Sequence, residues 1–476
     1  MKKIVYIVHA IDTEGPLYES TKATFERLES TFGIKLNPTY DNLQKLRNEE
    51  IKLNGIENEV AKFLEPTLQN YHDTWDKIES MLSKIMSKEF RFKYPDSFGG
   101  GWVYNWFCLD HVGYKENPRH RDIGYNNVHD RYVEFLDKYG EFNDDIQWHF
   151  HPMSHYQEAH RAGKSYEHSH EFHKILSHRI IDRNFFPSCF RAGCVTERPD
   201  ANWFLEQWIP FDCSNMAVEN DNKEKHKDQR NGQAGDWRRA PKDWSVYHPD
   251  IYDYQIPGSC HRVIGRFMNL VSRYGNITSD EIEKAFKRAD TGLPTLLGIF
   301  NHDFRDMGWE IEYFWDLLLP IVAKYPEVQF KYERAKDAFN AVLGNEPEPF
   351  ELDVNLEGNE LSVKTVKGKV FGPQPYLAVK TKSGRYIHDE FDFGLDGKSW
   401  YYVFSENMIR YEDIDTIGIA SNDQYGQTYI KTIKINSWLC KLNCVMLYSH
   451  SISSVGERPA PRGGTTRPDE CKITTI

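Results

Sequence analysis

Over roughly the first 345 residues, short unbroken apolar runs alternate with longer stretches of helical periodicity. Ile4–Val8, Ile146–Phe150, Thr295–Phe300 and Val328–Tyr332 have the length and composition of buried strands. Between them, Leu68, Tyr71, Trp75, Ile78, Leu82 and Ile85 recur every three or four positions and predict one helix with a single apolar stripe. The stretch TSDEIEKAFKRA predicts a helix capped by Thr278 or Ser279, with acids in its first turn. The run from Asp306 onward predicts a helix kinked or ended near Pro320 and stopping before Pro326. Strand, helix, strand in this order predicts an α/β fold, a parallel sheet or barrel whose strand C-termini carry the site.

From Pro347 the period changes to two. FELDVNLEGNELSVKTVKGKV alternates about an EGNE turn, and two further strand-like segments follow. Residues 350–436 are expected to form a small antiparallel β-sandwich, either an accessory packed on the main domain or a carbohydrate-binding module. Residues 437–476 fit neither pattern and are expected to be a disordered tail without a function.

Composition narrows the partners. The formal charge of −12 and the absence of a basic stripe argue against nucleic acid or an anionic membrane. No run approaches the ~20 apolar residues that span a bilayer. Two lysines precede the first apolar run, but His9 and Asp12 break it and no small-residue cleavage site follows, so it does not read as a signal peptide. The 8 cysteines are scattered without CxxC pairs, so the expected compartment is the cytoplasm; Cys189 and Cys194 read as free buried thiols. Aromatics at 14% suit either a core or a sugar-holding groove.

The candidate chemistry lies at the ends of the apolar runs. In HAIDTEGP, Asp12 and Glu14 share a face if the strand continues through Thr13. In WHFHPMSH, His149 and His151 share a strand face, Pro152 suits the first turn of a helix, and His155 would lie one turn beyond His151. A strand end leading into a helical turn is a pincer for a divalent ion, and one carboxylate could complete a His-His-carboxylate set. The other acid would then be free to take a proton from water. The bland alternative is a pair of acids capping a helix after Pro16. Arg191 in FRAG could hold a carboxylate by a bidentate contact, and His302 in IFNHD is placed to act as an acid. The remaining histidines, His160, His168, His170, His173 and His178, read as a His-rich surface helix.

In this order, these motifs resemble the polysaccharide deacetylases of the carbohydrate esterase family with a NodB-type homology domain. The resemblance covers about residues 1–340 and implies a distorted (β/α)7-type barrel. It implies Asp12 as the base, Glu14, His151 and His155 as ligands of a divalent metal, with zinc expected, Arg191 as the residue orienting Asp12, and His302 as the acid. Asp212 in IPFDCSNM is a loose match to the family's fourth motif. Glu14 stands where the family has a second Asp, the third motif lacks the Arg-x-Pro pattern, and about 130 residues separate the first two motifs. The pattern looks more like members found with surface-polysaccharide assembly genes than like secreted peptidoglycan or chitin deacetylases.

The expected organisation is therefore a barrel over 1–345 with a long insertion at about 16–140, the sandwich over 350–436 and the tail over 437–476. The expected activity is removal of an N- or O-acetyl group from a glycan or a nucleotide- or lipid-linked sugar. Trp102, Tyr104, Trp106 and Arg119 are candidates for a sugar groove, with core packing the stronger reading for any one of them. Strand alternation also allows His149, His151 and His155 as the ligand set, with both acids free. Two other functions fit parts of the pattern: a glycosidase, which needs two carboxylates about 5–9.5 Å apart, and a non-catalytic glycan-binding protein.

Overall fold

The first strand extends well past its apolar run. In the computed structural model, which describes residues 3–435 except 67–68, 116, 118, 141, 154–156, 158–162, 164, 220–234 and 272–275, β1 spans Ile4–Thr13. It is followed by β2 (Tyr104–Cys108), β3 (Asp145–Phe150), β4 (Cys189–Ala192), β5 (Phe211–Asn215), β6 (Val263–Asn269) and β7 (Thr295–His302). All seven are parallel, and β1 pairs with both β7 and β2, which closes a barrel. β8 (Gln329–Tyr332) lies beside Ile4–Ile7, whereas β2 lies beside His9–Thr13, so the two halves of β1 have different neighbours. The expected α/β barrel is the fold.

Side-chain alternation sets what faces inward. Val8 and Ala10 point into the barrel with Phe107, Cys189, Phe211, Cys213, Phe267 and Phe300, while Val5, Ile7 and Ile11 point out at the surrounding helices. Asp12 is the next inward position after Ala10. Phe339, on the helix Ala335–Leu343, stacks on Phe211, the first residue of β5, with ring centroids 4.9 Å apart. That helix therefore closes the N-terminal end of the barrel, and the C-terminal end carries the polar side chains.

Several local expectations are corrected. The stretch expected as an insertion at 16–140 contains β2 and its following helix, Asn127–Tyr139. YNWFC is a strand buried on both faces, so it lacks the alternation that would have exposed it as one. Trp102, Tyr104 and Trp106 accordingly belong to the core rather than to a groove, each at most 1% exposed. The helix expected from Leu68 begins only at Trp75, because the Thr74 side chain caps it by accepting from the Lys77 N–H; Leu68 lies outside the described residues. The helix Met307–Lys324 runs through Pro320. Pro320 is on its exposed face, where water can bond the carbonyl that the ring leaves unpaired. Pro152 does not open a helix: Met153 N–H donates to Ser169 Oγ instead.

After the barrel, β9 (Glu351–Glu357), β10 (Glu360–Lys367), β13 (Asp392–Phe393) and β14 (Ser399–Val403) form one antiparallel sheet, and β11 (Tyr376–Thr381), β12 (Tyr386–Asp389), β15 (Ile414–Asn422) and β16 (Thr428–Lys434) form a second. Gly358, at φ +61°, turns the β9–β10 hairpin where the EGNE pattern places it. The second sheet packs on the barrel helix Glu171–Arg183. There His173 stacks on His388 at 4.4 Å, and His178 sits between Tyr125 and Tyr386 at 4.0 and 3.5 Å. His173 and His178 are therefore covered by the sheet rather than lying on a free surface. His168 and His170 are exposed, and His160 lies outside the described residues. Contacts join Met1–Ile433 into one compact unit, and a second begins at Lys434. The expected tail lies outside the described residues.

Candidate metal centre and catalytic site

Because β1 continues through Thr13, Asp12 reaches the barrel mouth and Glu14 follows on the same side. On β3, Trp148 and Phe150 point out into the apolar layer beneath the helices, and His149 and His151 point in. Parallel pairing sets Asp12 opposite His302 and His149 opposite Arg191. Four strand ends thus deliver their side chains to one place.

Among the described residues, Glu14, His149 and His151 form a group whose ligating atoms lie within 4.8 Å of one another. His149 Nε2 and His151 Nε2 face each other at 3.0 Å, and Glu14 Oε1 lies 3.8 and 3.5 Å from them. Donors at the usual zinc distances in a tetrahedral site are separated by roughly 3.4 Å, so the three atoms are spaced to share one ion. His149 Nδ1 is 2.9 Å from the Arg191 carbonyl. Since a carbonyl only accepts, Nδ1 carries the proton and Nε2 presents its lone pair, the second-layer arrangement common to metal-binding histidines. The donor set therefore fits a divalent ion, with His149 in it. His155 lies outside the described residues.

Burial would raise the Glu14 pKa, but its contacts with His120, His149 and His151 outweigh it and hold the carboxyl well below its ordinary range. For His151, burial opposes protonation, but contacts to Cys194 and Glu14 raise its pKa well above the ordinary value. Asp12 is also below its usual value. Burial pushes it up, and the Arg191 guanidinium, with His149 and His302, pulls it further down. Asp12 is therefore ionised at neutral pH and able to accept a proton. Arg191 is fully buried; its Nε bonds Asp12 Oδ1, its Nη1 bonds the Cys213 carbonyl at 2.6 Å, and its guanidinium lies 3.5 Å over the Phe300 ring.

His302 Nε2 lies 3.7 Å from Asp12 Oδ2 and 3.9 Å from Glu14 Oε1. Arg305 Nη2 is 3.2 Å from His302 Nδ1. A guanidinium can only donate, so Nδ1 accepts and Nε2 carries the hydrogen that faces the acids. Burial lowers the His302 pKa to about 4, with Asp12 opposing and Arg305 assisting.

Two nominated residues are not part of this cluster. Asp212 points outward from β5, where Arg262 holds it at 2.6 Å and also bonds Glu197; the residue beside His302 is Arg305. Arg119 pairs with Glu19 at 3.3 Å, and its carbonyl accepts from the Tyr18 N–H at 2.8 Å, at the edge of the β1 loop.

Several residues around the cluster were given no part in it by sequence reasoning. Asp303 accepts from the N–H groups of Glu14 and Gly15, at 3.0 and 2.9 Å, and from Tyr132 Oη at 2.9 Å, which fixes the loop carrying Glu14. Gly193 leaves room for His151: a Cβ there would lie 2.3 Å from the ring. Cys194, expected to be buried, is exposed, with Sγ 3.9 Å from His151 Nδ1. His111 and His120 reach Glu14 from the loop after β2; recognising β2 as a strand would have placed that loop at the barrel mouth. No family model, curated protein or solved structure matches the chain.

Proposed function

We propose that the protein is a metal-dependent hydrolase that removes an acetyl group, N- or O-linked, from a carbohydrate. The expected substrates are surface-polysaccharide units or nucleotide- or lipid-linked sugars, and the proposed location is the cytoplasm, in keeping with the free thiols among the described residues. The proposal includes divergent membership of the NodB-type deacetylases. The observation that carries it is the convergence of a three-donor group, Glu14, His149 and His151, with an arginine-held carboxylate, Asp12, beside His302.

A divalent ion, zinc in this reading, held by the three donors supplies Lewis acidity toward a water and an acyl oxygen. Asp12 accepts a proton from the attacking water while Arg191 fixes its orientation. The proton that Asp12 takes from water goes on to the departing nitrogen or oxygen, while His302, its Nε2 hydrogen facing the site, hydrogen-bonds that atom as it leaves. Buried walls such as Phe300 and Phe304 limit water access around these groups.

The test is acetate release from a panel of N- and O-acetylated sugars, using ion-loaded and chelator-treated protein and Asp12→Ala. Release that needs both the ion and Asp12 supports the reading. Release that survives both losses refutes it. A second reading, a glycan-binding protein that retains the fold without turnover, is favoured by one observation: Asp212, the loose match to the fourth motif, is held by Arg262 outside the cluster. Ion and glycan binding without acetate release across the panel would favour that reading.

A further inference from the structure

Glu14 is gripped by a second pair of histidines that the proposed reaction does not use. Both come from the loop between β2 and the helix Asn127–Tyr139. His111 Nε2 lies 2.7 Å from the Glu14 carbonyl oxygen, so it carries the hydrogen and donates to it. Its Nδ1 faces Asn117 Nδ2 at 3.5 Å. His120 Nε2 lies 3.4 Å from Glu14 Oε2, whereas the two ligand histidines approach Oε1. The two rings stack at 4.2 Å with an interplanar angle of 23°, and the Asn117 side chain holds the His120 N–H at 3.1 Å. Both residues are buried, His111 at 2% and His120 at 8% exposure.

We propose that His120, braced by His111, is a positioning residue that occupies Oε2 of Glu14 and so leaves Oε1 alone to bind the ion. The inference rests on the metal-centre reading above. Its physical basis is that a glutamate has one more rotatable bond than an aspartate at the same position. Unless its second oxygen is tied, the carboxylate can rotate, bind through both oxygens or leave the ion. His120 restricts that freedom by a buried contact of its ring nitrogen with the carboxylate oxygen, at 3.4 Å. The loop after β2 thereby makes a longer acid serviceable as a ligand, which answers how Glu14 reaches and holds its position. Second-layer partners of this kind typically change metal affinity by about 10–100-fold.

The experiment measures Zn2+ and Co2+ affinity of the full chain by competition with a chromophoric chelator, for the unsubstituted protein, His120→Ala and His120→Gln. Co2+ absorption spectra and denaturation midpoints are recorded alongside. We expect His120→Ala to bind about 10–100-fold more weakly with an altered Co2+ spectrum, and His120→Gln, which keeps a donor, to recover most of both. The midpoints separate loss of fold from loss of positioning, because a fold defect lowers the midpoint and lost positioning does not. His120→Ala binding like the unsubstituted protein, with an unchanged spectrum, overturns the inference while leaving the metal centre intact. An unsubstituted chain that binds neither ion overturns the metal centre itself and this inference with it.

Discussion

Gly193→Ala is a small substitution aimed at one ligand. The added Cβ would lie 2.3 Å from His151 Cδ2, 2.4 Å from Cγ and 2.8 Å from Cα. Non-bonded carbons settle at roughly 3.5–4.0 Å, so the shortfall exceeds about 1 Å. Two of those atoms are at the stem of His151 and on its backbone, so rotating the ring tip does not relieve the clash. The ring is also confined, with Nε2 3.0 Å from His149 and Nδ1 3.9 Å from Cys194. Ligand positions in a metal site tolerate displacements of only about 0.2 Å. The overpacking should cost about 1–3 kcal/mol of stability, while ion affinity should fall by on the order of 100-fold, the upper end of what disturbing a ligand's support costs. Chelator competition reads the affinity, and denaturant unfolding reads the stability. Affinity equal to that of the unsubstituted protein, with stability unchanged within about 0.5 kcal/mol, would refute the reasoning.

Other consequences follow from the same geometry. Arg191→Met should destabilise the fold by about 3–5 kcal/mol, because Asp12 is left as a buried, unpaired charge; adding Asp12→Asn should recover part of that loss in denaturant unfolding, and strict additivity would contradict the pairing. Glu14→Gln, which removes the carboxylate charge but keeps the shape, should abolish stoichiometric ion binding in metal analysis, whereas Asp12→Asn should leave it intact. At the interface of barrel and second sheet, burial lowers the pKa of His173 to about 3 and of His388 to about 4. The unfolded chain takes up these protons near pH 6.5 and the folded one does not, so their contribution is retained above that pH and lost as the pH falls toward about 4. His388→Gln should flatten the fall in stability across that window by on the order of 2 kcal/mol; an unchanged slope would show that His388 is not held neutral.

The barrel was legible because its strands are buried on both faces and its helices on one, which leaves two distinct periods in the chain. β2 was the strand most easily missed. Its Tyr104, Trp106 and Phe107 satisfy the inner and outer layers together, and the same composition suits a ligand groove. The helix start at Trp75 and the passage through Pro320 turned on one cap and one solvent-facing carbonyl, details that apolar spacing does not encode.

Asp12, Glu14, His149, His151, Arg191 and His302 could be nominated from sequence because alternation along a strand is local: residues two apart share a face wherever the strand goes. What tertiary structure alone decided is which of them meet, and with what. Barrel closure brings β1 beside both β7 and β2, so Asp12 lies opposite His302 and the loop carrying His111 and His120 reaches Glu14. Pairing of β5 with β6 likewise brings Arg262 to Asp212 on the outer face. The contacts of Asp12 and Glu14 join residues some 100 to 300 positions apart in the chain, and no local pattern records them, because a hydrogen bond depends on where two side chains end in space rather than on their spacing along the backbone.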